Sequence, residues 1–205
     1  MTDRIFEIGQ AGLDSADEKV HKMMDNLTNA EVPGYKKSDA IIRGFPLELE
    51  AAEHRISSVK PQADDSFTDY SAGTLSKTGG KLDFALGGEG FFVVQGPWWE
   101  GYTRDGRFRL DKDGRLISVA GGFPVLGHNG PIIVTPGGDV AVSQTGQILI
   151  DGVEVDQLKI VKPETSSSLD TINGSLFQKR DGAIVVDVPA PRVAQGFVEA
   201  SNVDV

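Results

Sequence analysis

The side chains that most often carry out chemistry are few and scattered in this chain. The three histidines are His21, His54 and His128, and they fall on a predicted helix, a connecting segment and a turn. No two of them have the spacing of four residues or the short loop that a metal site requires. The chain contains no cysteine, which excludes disulfides and thiolate metal sites. The sequence therefore predicts neither a metal site nor a cofactor.

Carboxylates are the other source of catalytic groups. Asp83, Glu89, Asp105 and Asp111 are the candidates in the predicted β region for the paired carboxylates of glycoside hydrolysis. Asp105 and Asp111 stand at turns or strand ends, where aspartate is common for conformational reasons. No Ser-His-Asp arrangement is evident either. We therefore predict that the protein is not an enzyme and has no catalytic residues.

Two short motifs partly match ligand-binding loops. The glycine-rich run at 87–90 follows a strand, but a further strand follows it where a phosphate site needs a helix. The run at 111–114, DKDG, begins like a calcium loop, but Arg115 and Leu116 come next and the closing glutamate is missing. We interpret both as tight turns.

The most unusual surface feature is the aromatic pair Trp98 and Trp99 in the run QGPWWEG. Pro97 and Gly101 place the pair at the tip of a hairpin. Aromatic side chains exposed there favour stacking on a sugar or burial in a protein interface. The alternative is that one of them folds back onto its own domain. The pair is a candidate surface contact, and it is the basis of one functional hypothesis, a monomeric β domain that binds a glycan such as peptidoglycan.

The elements that position these residues are predicted to be mostly β. Between 79 and 116, short apolar runs are separated by Gly-Gly and Asp-Gly, which is typical of consecutive antiparallel hairpins. The pattern continues to 199, and the predicted strands are 82–86, 91–95, 101–104, 107–111, 115–119, 123–126, 131–135, 139–143, 147–150, 153–162, 175–178, 183–188 and 193–199. We predict a mainly β chain with an N-terminal α-helix, in which an antiparallel β-sandwich or irregular barrel is joined to a coiled-coil-type helix by a long linker. The predicted boundaries are 1–30 for the helix, 31–80 for the extended linker and 81–199 for the β domain.

The predicted helix has a narrow apolar stripe whose members recur at steps of three and four residues. This helix stripe consists of Phe6, Gly9, Leu13, Ala16, Val20, Met23 and Leu27. It would cover the core of its own domain or form an inter-subunit helix seam, and its narrow a/d pattern favours the seam. A lone helix of this kind is marginal in water, so the stripe needs a partner.

Charge and hydropathy exclude several classes of partner. The chain has 205 residues and a net charge of -10, which argues against binding to nucleic acid or to an anionic membrane. No apolar run approaches the ~20 residues that span a bilayer, so the chain is predicted not to cross a membrane. The N-terminus lacks a basic region before an apolar core, which predicts that the protein has no Sec-type signal peptide.

Three separated stretches, 26–36, 73–106 and 193–203, resemble motifs of the bacterial flagellar rod and hook family in the order that the family has them. Together they extend over nearly the whole chain. The matching residues are Asn26, Leu27, Asn29, Pro33, Gly34, Tyr35, Leu82, Asp83, Gly90, Phe91, Phe92, Tyr102, Thr103, Arg104, Gly106, Gln195, Gly196, Ser201, Asn202 and Val203.

Within that family the chain is most similar to the proximal rod members. The resemblance implies an axial structural subunit of the flagellar basal body that serves motility. It implies export in the unfolded state by the flagellar type III export apparatus and helical assembly in the periplasm. Its partners would be copies of itself and other rod and hook-basal-body proteins, and the product would be the drive shaft that transmits torque from motor to hook.

The chain departs from the family pattern at its end. Family members continue past the motif at 201–203 into a C-terminal helix that pairs with the N-terminal one. Here residues 200–205 are predicted to be the start of that helix, because Ser201 or Asn202 is a good N-cap and Asp204 suits a first turn. We therefore expect a truncated chain or a shortened paralogue in which the helix stripe lacks its usual partner.

Overall fold

A computed structural model describes residues 2–40, 66–135, 137–165 and 168–204. The described residues form one helix, α1 (Thr2–Thr28), and nineteen strands. The strands are β1 (Ser38–Ala40), β2 (Ser66–Thr68), β3 (Leu75–Lys77), β4 (Phe84–Leu86), β5 (Phe91–Gln95), β6 (Glu100–Thr103), β7 (Phe108–Leu110), β8 (Leu116–Ser118), β9 (Leu126–Gly127), β10 (Gly130–Pro131), β11 (Val140–Val142), β12 (Gln147–Ile150), β13 (Val153–Gln157), β14 (Ile160–Pro163), β15 (Leu169–Asn173), β16 (Leu176–Lys179), β17 (Val185–Asp187), β18 (Val193–Gln195) and β19 (Phe197–Glu199).

Polar side chains end α1. The hydroxyl of Thr28 donates to the carbonyl of Met24 at 2.8 Å, and the amide of Asn29 donates to the carbonyl of Asp25 at 2.8 Å. These side-chain donors add bonds to carbonyl groups of the last helical turn, and the carbonyl of Asp25 also accepts from the backbone amide of Asn29 at 3.1 Å. Turns follow as far as Gly34, whose φ of 70° is a conformation that glycine adopts without strain.

The centre of the fold is a six-stranded antiparallel sheet in the order β15-β16-β6-β5-β14-β17. Strand β5 lies inside this sheet between β6 and β14, and four of its five residues, Phe91 to Val94, are buried. A strand that is covered on both faces has apolar residues at consecutive positions, which explains why Phe91 to Val94 are all apolar. Phe92 and Val94 point into the larger core, whereas Phe91 and Val93 point into a smaller core on the other face.

The remaining strands form smaller antiparallel units around the larger core. Strands β11, β12 and β13 form a three-stranded sheet, and the other strands form two-stranded pairs. The described strands do not close into a barrel. The prediction of a mainly β chain with an N-terminal helix and antiparallel sheets is confirmed.

Strand pairing extends outside the predicted limits of the β domain. In the predicted linker, β3 pairs with β19 near the end of the chain, and β1 pairs with β2. Residues 41–65 of that segment lie outside the described residues. Residues 200–204, predicted to begin a helix, have no regular secondary structure.

Two predicted strands are each divided into two. The run at 153–162 breaks after Gln157, and its halves β13 and β14 belong to different sheets. The run at 193–199 breaks at Gly196, whose φ is 79°. Apolar alternation does not show where a chain leaves one sheet for another, so these breaks were not visible in the pattern.

We predict that Gly106→Ala will lower the free energy of unfolding by about 3 kcal/mol or more, because an inserted group in a tight space forces backbone to move. A Cβ at Gly106 would lie 1.5 Å from the carbonyl oxygen of Phe84. The matched control is Gly88→Ala, where a Cβ would meet nothing within 4 Å. Urea unfolding of both variants checks the prediction, and equal midpoints would contradict it.

Candidate functional site

A buried carboxylate, Glu199, is the centre of a polar cluster that joins distant parts of the chain. Its side chain is fully buried. One carboxylate oxygen accepts bonds from Lys36 Nζ at 2.5 Å and from the backbone amide of Gly73 at 2.8 Å. The other accepts a bond from Arg104 Nη1 at 2.9 Å. We call Lys36, Arg104 and Glu199 the junction.

The two cations of the junction have further partners. Lys36 Nζ also donates to the carbonyl of Ser71 at 2.6 Å. Arg104 Nη2 donates to the carbonyl of Gly88 at 2.8 Å, and its guanidinium lies 5.3 Å from the ring centre of Phe91. Burial lowers the pKa of Lys36, and the Glu199 carboxylate opposes that shift. Burial also lowers the pKa of Arg104, again against the influence of Glu199. The Glu199 carboxylate thus favours the charged form of both side chains against the effect of burial.

Further hydrogen bonds bring the segment after α1, the segment after β2 and the end of the chain from β19 onward together at the junction. The amide of Gly34 donates to the carbonyl of Glu199 at 2.8 Å. The side chain of Asn202 accepts from the amide of Lys37 at 2.7 Å and donates to the carbonyl of Asp69 at 2.8 Å. Asn202 is thus a bridge between two segments, which is a different use from the N-cap that the sequence suggested.

A second set of bonds ties the end of α1 to the same region. The side chain of Asn26 donates to the carbonyl of Ser38 at 2.8 Å and accepts from the amide of Ser38 at 3.0 Å. The hydroxyl of Tyr35 also donates to Asn26, at 3.1 Å. Burial raises the pKa of Tyr35, with a further contribution from the negative charge of Asp25. Asn26 and Tyr35 therefore fix the direction in which α1 leaves the β structure.

The residues of the family motif fall into three groups. Buried residues of the two cores and the junction include Phe91, Phe92, Tyr102, Thr103 and Arg104. Positions that set turns or close approaches are Gly34, Gly90, Gly106 and Gly196. Of the others, Asn26 and Tyr35 are buried, Leu27 is exposed on α1, and the rest are half-buried: Asn29, Pro33, Leu82, Asp83, Gln195, Ser201, Asn202 and Val203. The structure brings Asn26, Tyr35, Arg104 and Asn202 to one region although they come from all three motif stretches.

The carboxylates considered for catalysis all have structural partners. Asp105 binds Arg107 through both oxygens, Asp111 binds Arg115, and Glu89 binds Lys162. Asp83 accepts a bond from the hydroxyl of Thr78. Within the described ranges no group of three or more metal-ligating side chains is brought together.

The helix stripe faces solvent over the part of α1 whose side chains are described. Leu13, Val20, Met23 and Leu27 keep between 51 % and 72 % of their surface exposed, and Ala16 is exposed as well. Phe6 and Gly9 belong to α1, but their surroundings lie outside the described part. Exposed apolar side chains in a continuous row mark an interaction surface.

The tryptophan pair is divided between solvent and core. Trp98 is 94 % exposed, whereas Trp99 turns inward and packs edge-on against Phe123 with 5.4 Å between ring centres. The two rings therefore do not form one flat platform for a sugar.

Sequence reasoning did not identify Lys36 and Glu199 as site residues. Both lie inside the motif stretches, next to residues that were identified, but lysine and glutamate are almost always exposed unless paired. The available signal was their position beside the apolar residues Tyr35 and Val198.

We predict that Glu199→Gln will lower the free energy of unfolding by roughly 3–5 kcal/mol, the usual cost of leaving buried charges without their partner. Lys36 and Arg104 would both lose a negative neighbour while their side chains remain buried. The matched control is Glu154→Gln on the exposed strand β13. Urea unfolding at neutral pH measures both, and a loss no larger than that of the control would contradict the role of the junction.

A second prediction concerns alkaline pH. Burial raises the pKa of Tyr70 to about 12, against an ordinary value near 10. A raised pKa in the folded state gives stability that is complete below pH 10 and is lost as the pH rises from 10 to 12. Tyr70→Phe should therefore lose less stability than the unsubstituted chain over this interval. Urea midpoints at several pH values test this, with pH 8 as the reference, and parallel curves would contradict it.

Comparison with known proteins identifies a family model and several relatives that match the chain. Residues 85–170 match the family model described as flagellar hook protein FlgE/F/G D1 domain. The chain is 32 % identical over 182 residues to flagellar basal-body rod protein FlgF of Caulobacter vibrioides, which covers 87 % of this chain and 74 % of the relative. It is 32 % identical over 194 residues to FlgF of Salmonella typhimurium, with 87 % and 74 % covered. It is 30 % identical over 223 residues to flagellar basal-body rod protein FlgG of Buchnera aphidicola from Schizaphis graminum, with 97 % and 85 % covered.

Among the described residues, no helix has the length and apolar character needed to cross a bilayer. The shared motifs, the β domain and the extent of identity lead to one conclusion: the chain belongs to the family of flagellar basal-body rod proteins and is FlgF-like.

Proposed function

We propose that this protein is a structural subunit of the flagellar basal-body rod, and that it assembles helically into the axial shaft that transmits torque from motor to hook. The observation that carries the proposal is the exposed helix stripe on α1. The partners of the subunit are copies of this chain and other rod and hook-basal-body proteins.

The energetics of the stripe support assembly. Burying one Leu, Val or Met side chain is worth roughly 1.5–3 kcal/mol. Leu13, Val20, Met23 and Leu27 together therefore offer several kcal/mol to any partner helix that covers them. A narrow stripe of this kind matches the seam between helices better than the broader face of a helix on its own core.

The junction supports a mechanical role. Torque passes through a subunit only if its parts keep a fixed orientation. Asn26 and Tyr35 bind the last turn of α1, and Lys36 and Glu199 connect the following segment to the β domain through fully buried side chains. The helix and the β domain are thus joined by short, buried polar bonds, which resist rotation at the joint better than a solvated linker.

The proposed role as a rod subunit implies a location in the periplasmic part of the basal body. A rod subunit works in the periplasmic part of the basal body, and the flagellar export apparatus delivers it there without a Sec signal peptide. The net charge of -10 suits a protein whose contacts are with other proteins.

The test is the incorporation of stripe variants into basal bodies. In cells that lack the native protein, a chain carrying Leu13→Ser, Val20→Ser and Leu27→Ser should fail to enter purified basal bodies, and the cells should not swim. The matched control carries Asp14→Ser, Lys19→Ser and Asp25→Ser, three exposed positions on the same helix. It should support assembly and motility.

Thermal unfolding followed by circular dichroism should show that the β domain of both variants melts like that of the unsubstituted chain. Normal incorporation of the stripe variant would overturn the proposed function.

A further inference from the structure

The chain contains two Asn-Gly pairs, and the structure places both at hairpin turns. Asn129-Gly130 leads into β10 from the turn that follows β9, and Asn173-Gly174 leads from the end of β15 into the turn before β16. Asparagine loses its side-chain amide most readily when glycine follows it, because glycine has no Cβ to hinder the approach of its backbone nitrogen to the asparagine side chain. The surroundings of the two pairs determine which of them reacts in the folded protein.

Asn129 is bound to a neighbouring carboxylate. Its side-chain nitrogen donates to Asp156 at 3.0 Å, and its backbone amide donates to the two oxygens of the same carboxylate at 3.4 Å and 3.3 Å. The side-chain bond restricts rotation of the Asn129 side chain, and the nitrogen that it holds is the atom that leaves in deamidation. The contact with Asp156 therefore slows the reaction at this pair.

The side chain of Asn173 has no comparable restraint. It is exposed, and within the described ranges it makes no hydrogen bond. The backbone amide of Gly174, in the turn, likewise donates no bond to the described residues. The nitrogen that would attack and the side-chain carbon that it would attack are thus both free of bonds that must first be broken.

The end of β15 can open locally without disturbing the rest of the central sheet. β15 is an edge strand of that sheet and pairs on one side only, with β16. Its register shifts between Thr171 and Asn173, so the pair of Asn173 with Leu176 stands alone between this irregularity and the turn. Such positions open at a low free-energy cost, because few contacts are lost. Local opening makes the backbone rotation that cyclisation needs accessible at Asn173.

We propose that Asn173-Gly174 is a site of spontaneous deamidation in the folded protein. Hydroxide takes the amide proton of Gly174, and the backbone nitrogen attacks the side-chain carbonyl carbon of Asn173. A carbon–nitrogen bond forms, and the side-chain nitrogen takes up a proton and leaves as ammonia. Water then opens the resulting succinimide at one of its two carbonyl carbons, which gives aspartate or isoaspartate. The reaction needs only water and hydroxide, and it does not depend on the proposed function.

The product changes the hairpin beside the end of α1. A Cβ at Gly174 would lie 3.6 Å from the side-chain oxygen of Asn29, and the side-chain nitrogen of Asn29 donates to the carbonyl of Asp25 in the last turn of the helix. Either product adds a negative charge at position 173, and isoaspartate also lengthens the backbone by a methylene group. Deamidation thus alters the charge and the backbone where the β15–β16 turn approaches α1.

The test compares the two Asn-Gly pairs within one molecule. The unsubstituted chain is incubated at pH 8.5, where the attacking nitrogen is deprotonated more often than at neutral pH. It is then digested under acidic conditions, and the deamidated fraction at each asparagine is measured over time by peptide mass spectrometry. The same measurement on the chain unfolded in urea gives the ratio of the two rates that the local sequence alone sets.

The ratio of the Asn173 rate to the Asn129 rate should be higher in the folded chain than in the unfolded chain. We expect an increase of about threefold or more, the factor that one intramolecular hydrogen bond contributes. An equal or lower ratio in the folded chain would overturn the inference, and so would the absence of deamidation at Asn173 in the folded chain.

A substitution tests the role of Asp156 directly. In folded Asp156→Ala, Asn129 loses its acceptor and should deamidate about threefold or more faster, while the rate at Asn173 stays unchanged. The matched control is Asp187→Ala, an exposed carboxylate on β17, which should change neither rate. Circular dichroism checks that both variants are folded. A rate at Asn129 in Asp156→Ala equal to that in the control would overturn the inference that hydrogen bonding selects between the two pairs.

Discussion

The buried carboxylate of Glu199 is the constraint on which the rest of the structure depends. A carboxylate removed from water is costly unless cations and hydrogen-bond donors surround it. Here the donors come from Lys36, Arg104 and the amide of Gly73, which are far apart in the sequence. Each donor can reach Glu199 only when its own segment is in place. One side chain thus requires the segment after α1, the segment before β3, the end of β6 and β19 to assemble in a single arrangement.

The same cluster connects the segment after α1 to the central sheet. Arg104 follows strand β6 and donates to the carbonyl of Gly88, and Lys36 follows the turns that end α1. Glu199 accepts bonds from both cations, so the two segments share one buried carboxylate.

The sequence allowed the hairpins to be predicted because their signals are local. Asp113-Gly114 marks the turn between the paired strands β7 and β8, and the apolar run at 91–94 marks a strand covered on both faces. Asp105-Gly106 carries the same local signal but connects β6 to β7, which belong to different sheets. The junction was not predictable in this way, because its pairing depends on tertiary contacts between residues as far apart as Lys36 and Glu199. Strand β15 was missed for a related reason: its sequence LDTIN has little apolar periodicity, and its place at the edge of the sheet comes from pairing with β16. Likewise nothing local indicates that Trp99 turns inward while Trp98 does not, since that difference comes from the packing of Phe123.

The helix stripe is a local sequence pattern which indicates that α1 needs a partner but does not identify that partner. A helix of 27 residues is roughly 40 Å long, and the bonds of Asn26 fix the direction of its last turn. The apolar side chains of the stripe lie along its length. The stability of such a helix depends on what covers it, so it rises with the concentration of that partner. A rod supplies the partner at very high local concentration, because each subunit is held beside its neighbours. The bonds of Asn26 and Tyr35 fix the angle at which the last turn of the helix leaves the β structure, and a partner that covers the exposed stripe residues would supply their burial.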